Sequence, residues 1–297
     1  MAVGGILVAA ASSLALNTSY AIQHRGLTDG PALDHRRPLA SLRTLLRSRR
    51  WLGGALLGYA GLALDLLAMT LAPLWVVQSV LAIGLVVVLA VWNRARGRGW
   101  RAMAPASSLL GAGLLALALT GSGGRSGIVA SPSALVAAGL VTALLTGVVL
   151  TRRALAPTAR SSIASGILYG ATTVGFAAVL TAVRLPTVDT GLALAGAALA
   201  ATTTTAGFAC FQRALQTGEP IAVVTTMTAG MNASAIAGGL ALGGAAGLSG
   251  SALALRVGGL IALCAAGAVG ARDLSGRPAT RRAAARGAAP ALPSTPG

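Results

Sequence analysis

The sequence contains no lysine. All 23 of its basic residues are arginine, set against only six acidic residues. Charged residues of both signs make up 10% of the 297 positions, where a water-soluble domain carries about 25%. So little charge cannot clothe a surface meant for water. Aromatic residues are equally scarce, at 3%, which removes the stacking platform and polar readers that a nucleic-acid surface needs despite the net charge of +17. Nucleic acid is therefore not expected as a partner. Two cysteines, Cys210 and Cys264, cannot build a disulfide framework and read as small buried hydrophobes. The two histidines, His24 and His35, have no acid or cysteine at ligand spacing. There is no phosphate loop, no nucleophile elbow and no catalytic carboxylate pair, so neither an enzyme nor an ATP-driven pump is expected from this chain alone, and no cofactor or metal site is implied.

What the chain has is apolar length. It is 55% hydrophobic, with a mean hydropathy of +0.77. Nearly uncharged runs recur throughout, each long enough for the roughly 20 residues that cross a bilayer. The pattern predicts an all-α membrane protein with nine transmembrane helices at about 3–22, 51–70, 73–92, 102–120, 133–151, 161–182, 189–211, 220–242 and 251–270. They form one transmembrane domain over 1–270, followed by a basic tail, 271–297, rich in Ala, Arg, Pro and Gly and expected to be disordered. The first run lacks a positive n-region and reads as a span, not a signal peptide.

Arginine position orients these spans. Twenty arginines fall in the loops after spans 1, 3, 5 and 7 and in the tail, only Arg125 and Arg184 fall on the other side, and Arg256 lies within span 9. Cytoplasmic loops carry the basic excess, so the N-terminus is expected outside and the C-terminus in the cytoplasm, in a cell membrane, with a bacterial inner membrane favoured. Trp51, Trp75, Trp92 and Trp100 fall at span ends, as interfacial anchors do. Lipid is the expected surrounding.

One acid interrupts the apolar pattern. "LALDLLAMTLAPLWVVQ" (62–78) carries Asp65 eight residues before Pro73. A second stretch, "FQRALQTGEPIAVVT" (211–225), echoes it: with Pro73 laid on Pro220, Val76-Val77 meets Val223-Val224 and Asp65 meets Gln212. The two prolines turn on opposite sides, so spans 1–4 and 6–9 read as an inverted repeat, the plan of many secondary transporters.

With these stretches, "YAIQHRGL" (20–27), "LAPLWVVQSVLAIGLVV" (71–87) and "FQRALQTGEPIAVVTTMTAGMNASAIAGG" (211–239), the chain resembles the drug/metabolite transporter superfamily. Within it the look is of NIPA-like magnesium transporters and EamA-like membrane proteins. The resemblance implies an inverted-repeat bundle that carries a small molecule or ion. The NIPA pattern has Glu eleven residues and Asn eight residues before the proline, where this chain has Leu62 and Asp65.

Asp65 lies fourteen residues into span 2, about 21 Å at the helical rise and so within the roughly 30 Å hydrocarbon core. An acid there is costly and should face the interior, a water cavity or a partner. It could bind a cationic substrate or carry a coupling proton. Arg256, five residues into span 9, is at a comparable depth and could pair with it or snorkel to the outer interface. Asn17, Tyr20, Gln78, Tyr169, Thr225 and Asn232 join Asp65 as candidate site residues, because they are polar groups on repeat-related spans. Asp189 reads as an N-cap and Glu219 as a solvated residue of a cytoplasmic turn. "GALLG" (54–58) and "GILYG" (166–170) permit close helix approach, inside the bundle or in a homodimer.

Three functions follow in order: a secondary transporter of a small solute, proton-coupled through Asp65; a magnesium transporter; and a non-transporting scaffold or accessory subunit. If Asp65 and Arg256 form a functional pair, the exchange Asp65→Arg with Arg256→Asp restores activity lost in each single variant. A double variant no better than the singles removes the pair.

Overall fold

The computed structural model describes residues 2–28, 38–71, 131–184, 189–239 and 249–275, with a few isolated positions at 80, between 108 and 116, and at 241–242. Among the described residues there is no strand. Eight helices carry the fold: α1 (Ala2–Thr28), α2 (Pro38–Arg47), α3 (Arg49–Leu71), α4 (Pro132–Thr151), α5 (Pro157–Arg184), α6 (Thr190–Thr217), α7 (Pro220–Gly239) and α8 (Gly250–Ser275). Among the described residues five helices, over Gly4–Leu27, Arg49–Ala68, Pro132–Thr151, Pro157–Val183 and Thr190–Thr217, are long and apolar enough to cross a membrane. Their outer faces are apolar too: Val136, Leu140, Val141 and Leu144 of α4 are all exposed, as suits a surface bathed in lipid.

The expected spans 1, 2, 5, 6, 7, 8 and 9 fall on α1 and α3 to α8. Of those at 73–92 and 102–120 only the isolated positions just named are described, and Pro73, Gln78 and three of the tryptophans lie outside the described residues. Helices overrun the expected ends where polar residues still make helical bonds, as at Gln23–Thr28 of α1 and Gln212–Thr217 of α6. The 23–50 loop contains α2, hidden from a search for long apolar runs because it has only ten residues.

Local chemistry sets the boundaries. Pro38, Pro132, Pro157 and Pro220 each open a helix, where a missing N–H costs nothing and the fixed φ is already helical. Ser131 caps α4, accepting from the Ala134 amide at 3.2 Å. Asp189 caps α6 as expected, its Oδ1 accepting from the Leu192 amide at 2.9 Å. Glu219, expected to be solvated, is half-buried, and its carbonyl accepts the Val223 amide in the first turn of α7. Cys264 is exposed and Cys210 half-buried: the apolar exterior accepts small hydrophobes that a soluble fold would bury.

Small residues decide the packing. α1 and α3 are antiparallel, with Gly26 against Trp51, Gly54 against Gln23, Gly58 against Ser19 and Gly61 against Leu16. A Cβ on Gly54 would lie 2.9 Å from the Gln23 backbone nitrogen, so the helices touch backbone to side chain along the seam. α5 lies antiparallel to α6, with Gly175 against Gly196 and Ala200 and the Thr172 and Thr203 hydroxyls 2.9 Å apart. It runs parallel to α7, with Gly166 against Met227 and Gly230, and Gly170 against Met231 and Ser234. Both expected glycine pairs are thus used within the chain.

The second seam repeats the first. Ser12, Ser13, Tyr20, Gly26 and Gly58 have counterparts exactly one offset along, at Ser161, Ser162, Tyr169, Gly175 and Gly207. The contacts recur as well: Gly26–Trp51 as Gly175–Ala200, and Ser19–Gly58 as Leu168–Gly207. In this register Asp65 corresponds to Ala214, not to Gln212 as the proline alignment has it. The seam is fixed by contacts inside helices, whereas the prolines mark turns whose length can differ by two residues.

The seam predicts unequal costs at adjacent glycines. Gly53 has nothing within 4 Å of a new Cβ, so Gly53→Ala keeps or raises stability by up to about 1 kcal/mol through helix propensity. Gly54→Ala forces α1 and α3 apart and costs about 1–3 kcal/mol. Thermal unfolding in detergent checks both.

Candidate functional site

The arginine-bearing helix ends meet at one end of the bundle. His24 Nδ1, near the end of α1, donates to the Leu215 carbonyl near the end of α6 at 2.7 Å. The Thr158 hydroxyl at the start of α5 is 2.8 Å from that of Thr217, and Arg160 donates to the Leu150 carbonyl near the end of α4 at 3.1 Å. Arg25, Arg49, Arg153 and Arg213 are exposed there. Pro132 packs near Gly191, so α4 begins at the opposite end, where α3 also finishes.

Asp65 sits on the α3 face that meets α1. The seam register sets it level with Ser12, whose hydroxyl donates to the Gly61 carbonyl one turn away at 2.8 Å. Asp65 is buried, at 9% exposure, and its Oδ1 has no hydrogen-bond partner among the described residues. A buried carboxylate oxygen with no donor is expensive, and a proton or a cation would relieve it. Tyr20 and Tyr169, equivalent in the repeat, both present edges to Phe211, with ring centroids 5.0 and 6.4 Å away and interplanar angles of 73°. Tyr20 and Tyr169 are therefore brought together at Phe211, which the sequence reading did not single out, while Asp65 lies further along the α1–α3 seam.

No family model matches the chain, and no curated protein or solved structure matches it either. The arrangement of side chains has to carry the functional argument.

The remaining expected residues divide. Asn17 spends its amide within α1, donating to the Ser13 carbonyl at 2.8 Å. Asn232 is buried and donates to the Thr228 carbonyl at 2.9 Å. Thr225 is fully buried, and its Oγ1, like that of Thr226, has no partner among the described residues. Gln78 and the Arg256 side chain lie outside the described residues, so the Asp65–Arg256 pair is not addressed by the structure. Of the four consecutive threonines, Thr202 and Thr205 bond back to the Ala198 and Ala201 carbonyls on an exposed face, while Thr203 and Thr204 turn to Thr172.

The sequence reading also missed a second polar group. Trp51, expected as an interfacial anchor, is 3% exposed; its indole N–H donates to Gln212 Oε1 at 3.0 Å. Gln212 Nε2 donates in turn to Gln23 Oε1 at 2.7 Å. Span-end glutamines beside arginines read as the start of a loop. The available signal was that each lies on a helix that could be extended by another turn.

Phe211 joins Tyr20 of one half to Tyr169 of the other. Phe211→Ala removes both tyrosine contacts and opens a cavity, at a cost of about 3 kcal/mol, whereas Phe211→Leu costs less than half of that. Unfolding midpoints of the purified variants give the comparison.

Proposed function

We propose that the protein is a secondary transporter that moves a small solute across a cell membrane by alternating access, with Asp65 as the coupling or substrate-binding group. The observation that carries this reading is Asp65 itself, a buried acid within a helix long and apolar enough to cross a membrane, in the part that leads to its Leu71 end, one oxygen of which lacks a donor among the described residues. Acids at such depth are retained for ion or substrate handling. The recurring seam supports a two-repeat build of the drug/metabolite transporter kind, with nine spans, the N-terminus outside and the C-terminus in the cytoplasm, as in a bacterial inner membrane. Spans at 73–92 and 102–120 are compatible with α3 finishing and α4 beginning at one end, since two crossings return the chain to where it started. The gathering of arginine-bearing ends supports the orientation, because a basic excess marks the cytoplasmic side.

The test is a thermal-shift screen of the purified protein against metabolites, amines and divalent cations, repeated with Asp65→Asn, followed by uptake into proteoliposomes with and without a pH gradient. Asp65→Asn keeps the fold, since amide and acid have the same shape. It abolishes the ligand-induced shift and lowers solute accumulation at least tenfold. A ligand whose shift survives Asp65→Asn removes Asp65 from the site. A response to Mg²⁺ alone selects the magnesium reading, and normal cell function in Asp65→Asn with no ligand found selects the scaffold.

A further inference from the structure

The bonds among Gln23, Trp51 and Gln212 have a role apart from Asp65. They cross between halves: Gln23 and Trp51 belong to α1 and α3, Gln212 to α6. Their polarity is forced. An indole N–H can only donate, so the Gln212 atom facing Trp51 is Oε1, which turns Nε2 toward Gln23 and requires Gln23 to present Oε1. Gln23 and Gln212 are 4% and 2% exposed, within an apolar cluster that includes Leu27, Ala55, Leu215 and Val223. The His24–Leu215 bond, also between halves, lies beside them at the same end. All of this is at the arginine-bearing end: Arg25 follows Gln23 by two positions, Arg50 precedes Trp51 and Arg213 follows Gln212.

Among the described residues, two seams with backbone-close contacts lie within the halves, while the hydrogen bonds seen between the halves lie at this cluster, beside the Tyr20–Phe211 and Trp51–Phe208 ring contacts. Parts that separate during a transport cycle should meet through a few breakable bonds and not through interlocked glycines. The bonds are strong while dry, because the surroundings have a low dielectric and the only other hydrogen bonds of the three side chains among the described residues are the long ones from Gln23 Nε2 to the Ser19 hydroxyl at 3.4 Å and the Gly54 carbonyl at 3.5 Å. They become dispensable once water enters, because water satisfies every donor and acceptor they expose. Exposed arginines on both halves favour separation by like-charge repulsion.

We infer that Gln23, Trp51 and Gln212 form a polar latch that closes the arginine-bearing end of the path and must break for that end to open. The inference rests on the transporter reading for its purpose, though not for its test. The full chain, with Cys210 and Cys264 replaced by alanine, carries one reporter, Val224→Cys, at a position 4% exposed in the same apolar cluster. In proteoliposomes, a membrane-impermeant maleimide is added to the arginine-bearing face. Gln212→Leu strands the Trp51 indole N–H and the Gln23 Oε1 in an apolar setting, so the opened, wetted state gains and labelling accelerates about tenfold. The triple variant Gln23→Leu, Trp51→Phe and Gln212→Leu leaves no stranded group, and its labelling returns to the parent rate or below. A control cysteine at Ala178, in the separate core cluster of α4, α5 and α6, stays unreactive in all of them.

An unchanged rate in Gln212→Leu overturns the latch. So does acceleration at Ala178→Cys, which would mean general loosening, and so does a triple variant that labels as fast as Gln212→Leu. Labelling needs no cargo. If it behaves as expected while no solute is ever moved, the latch stands and the transporter reading fails; if solute moves but labelling is indifferent to Gln212, the reverse holds.

Discussion

The bundle depends on how closely α1 approaches α3 and how closely α5 approaches α6 and α7. Lipid offers apolar side chains an environment as favourable as a protein interior, so hydrophobic burial gives these helices little reason to associate. Dispersion contacts and a few hydrogen bonds remain, and both need short distances. Glycines at 26, 54, 58 and 61, and again at 166, 170, 175 and 207, supply those distances. The serines and threonines beside them, such as Ser12 on the Gly61 carbonyl and Thr172 on Thr203, add polar contacts that would be lost to water in a soluble fold.

That constraint explains the character of the polar groups. Along the seams, hydroxyls bond to nearby carbonyls and are satisfied. Asp65 lies on a seam, yet one of its oxygens has no such partner among the described residues; further along the same helix pair, the Tyr20 ring meets Phe211 in a T-shaped contact, as Tyr169 does from α5. The glutamine–tryptophan group is the opposite case, fully matched and deeply dry. In the transport reading proposed above, the first would take something up and the second would hold something shut; the two lie at different depths of the same α1–α3 pair.

Much of this was legible in the sequence. Low charge and repeated apolar runs point to helices long and apolar enough to cross a membrane, five of which are found among the described residues, proline positions mark where several helices begin, and one acid among apolar residues singles out Asp65. The spacing of glycines in "GALLG" and "GILYG" announced close approach but not toward which neighbour, because small residues fit any partner. The role of Gln212 was not legible. Its pairing depends on Gln23 and Trp51, 189 and 161 residues away, and a span-end glutamine looks the same whether it meets water or an indole. The repeat was visible only roughly: its prolines are conspicuous, but its register resides in serines, tyrosines and glycines that look unremarkable until their contacts are seen to recur.

The glycine seams also determine what kind of variation the chain can absorb. A point change on a lipid-facing position of α4 or α6 disturbs nothing that interlocks. A single inserted or deleted residue between Gly54 and Asp65 is another matter: it turns everything beyond it by about 100°, lifts Gly58 and Gly61 out of contact with α1, and swings Asp65 from the seam toward lipid. Differences in length should therefore accumulate in the turns and be excluded from the helices, so that among descendants of this chain the distance from Gly26 to Trp51 can drift while the distance from Gly54 to Asp65 stays fixed.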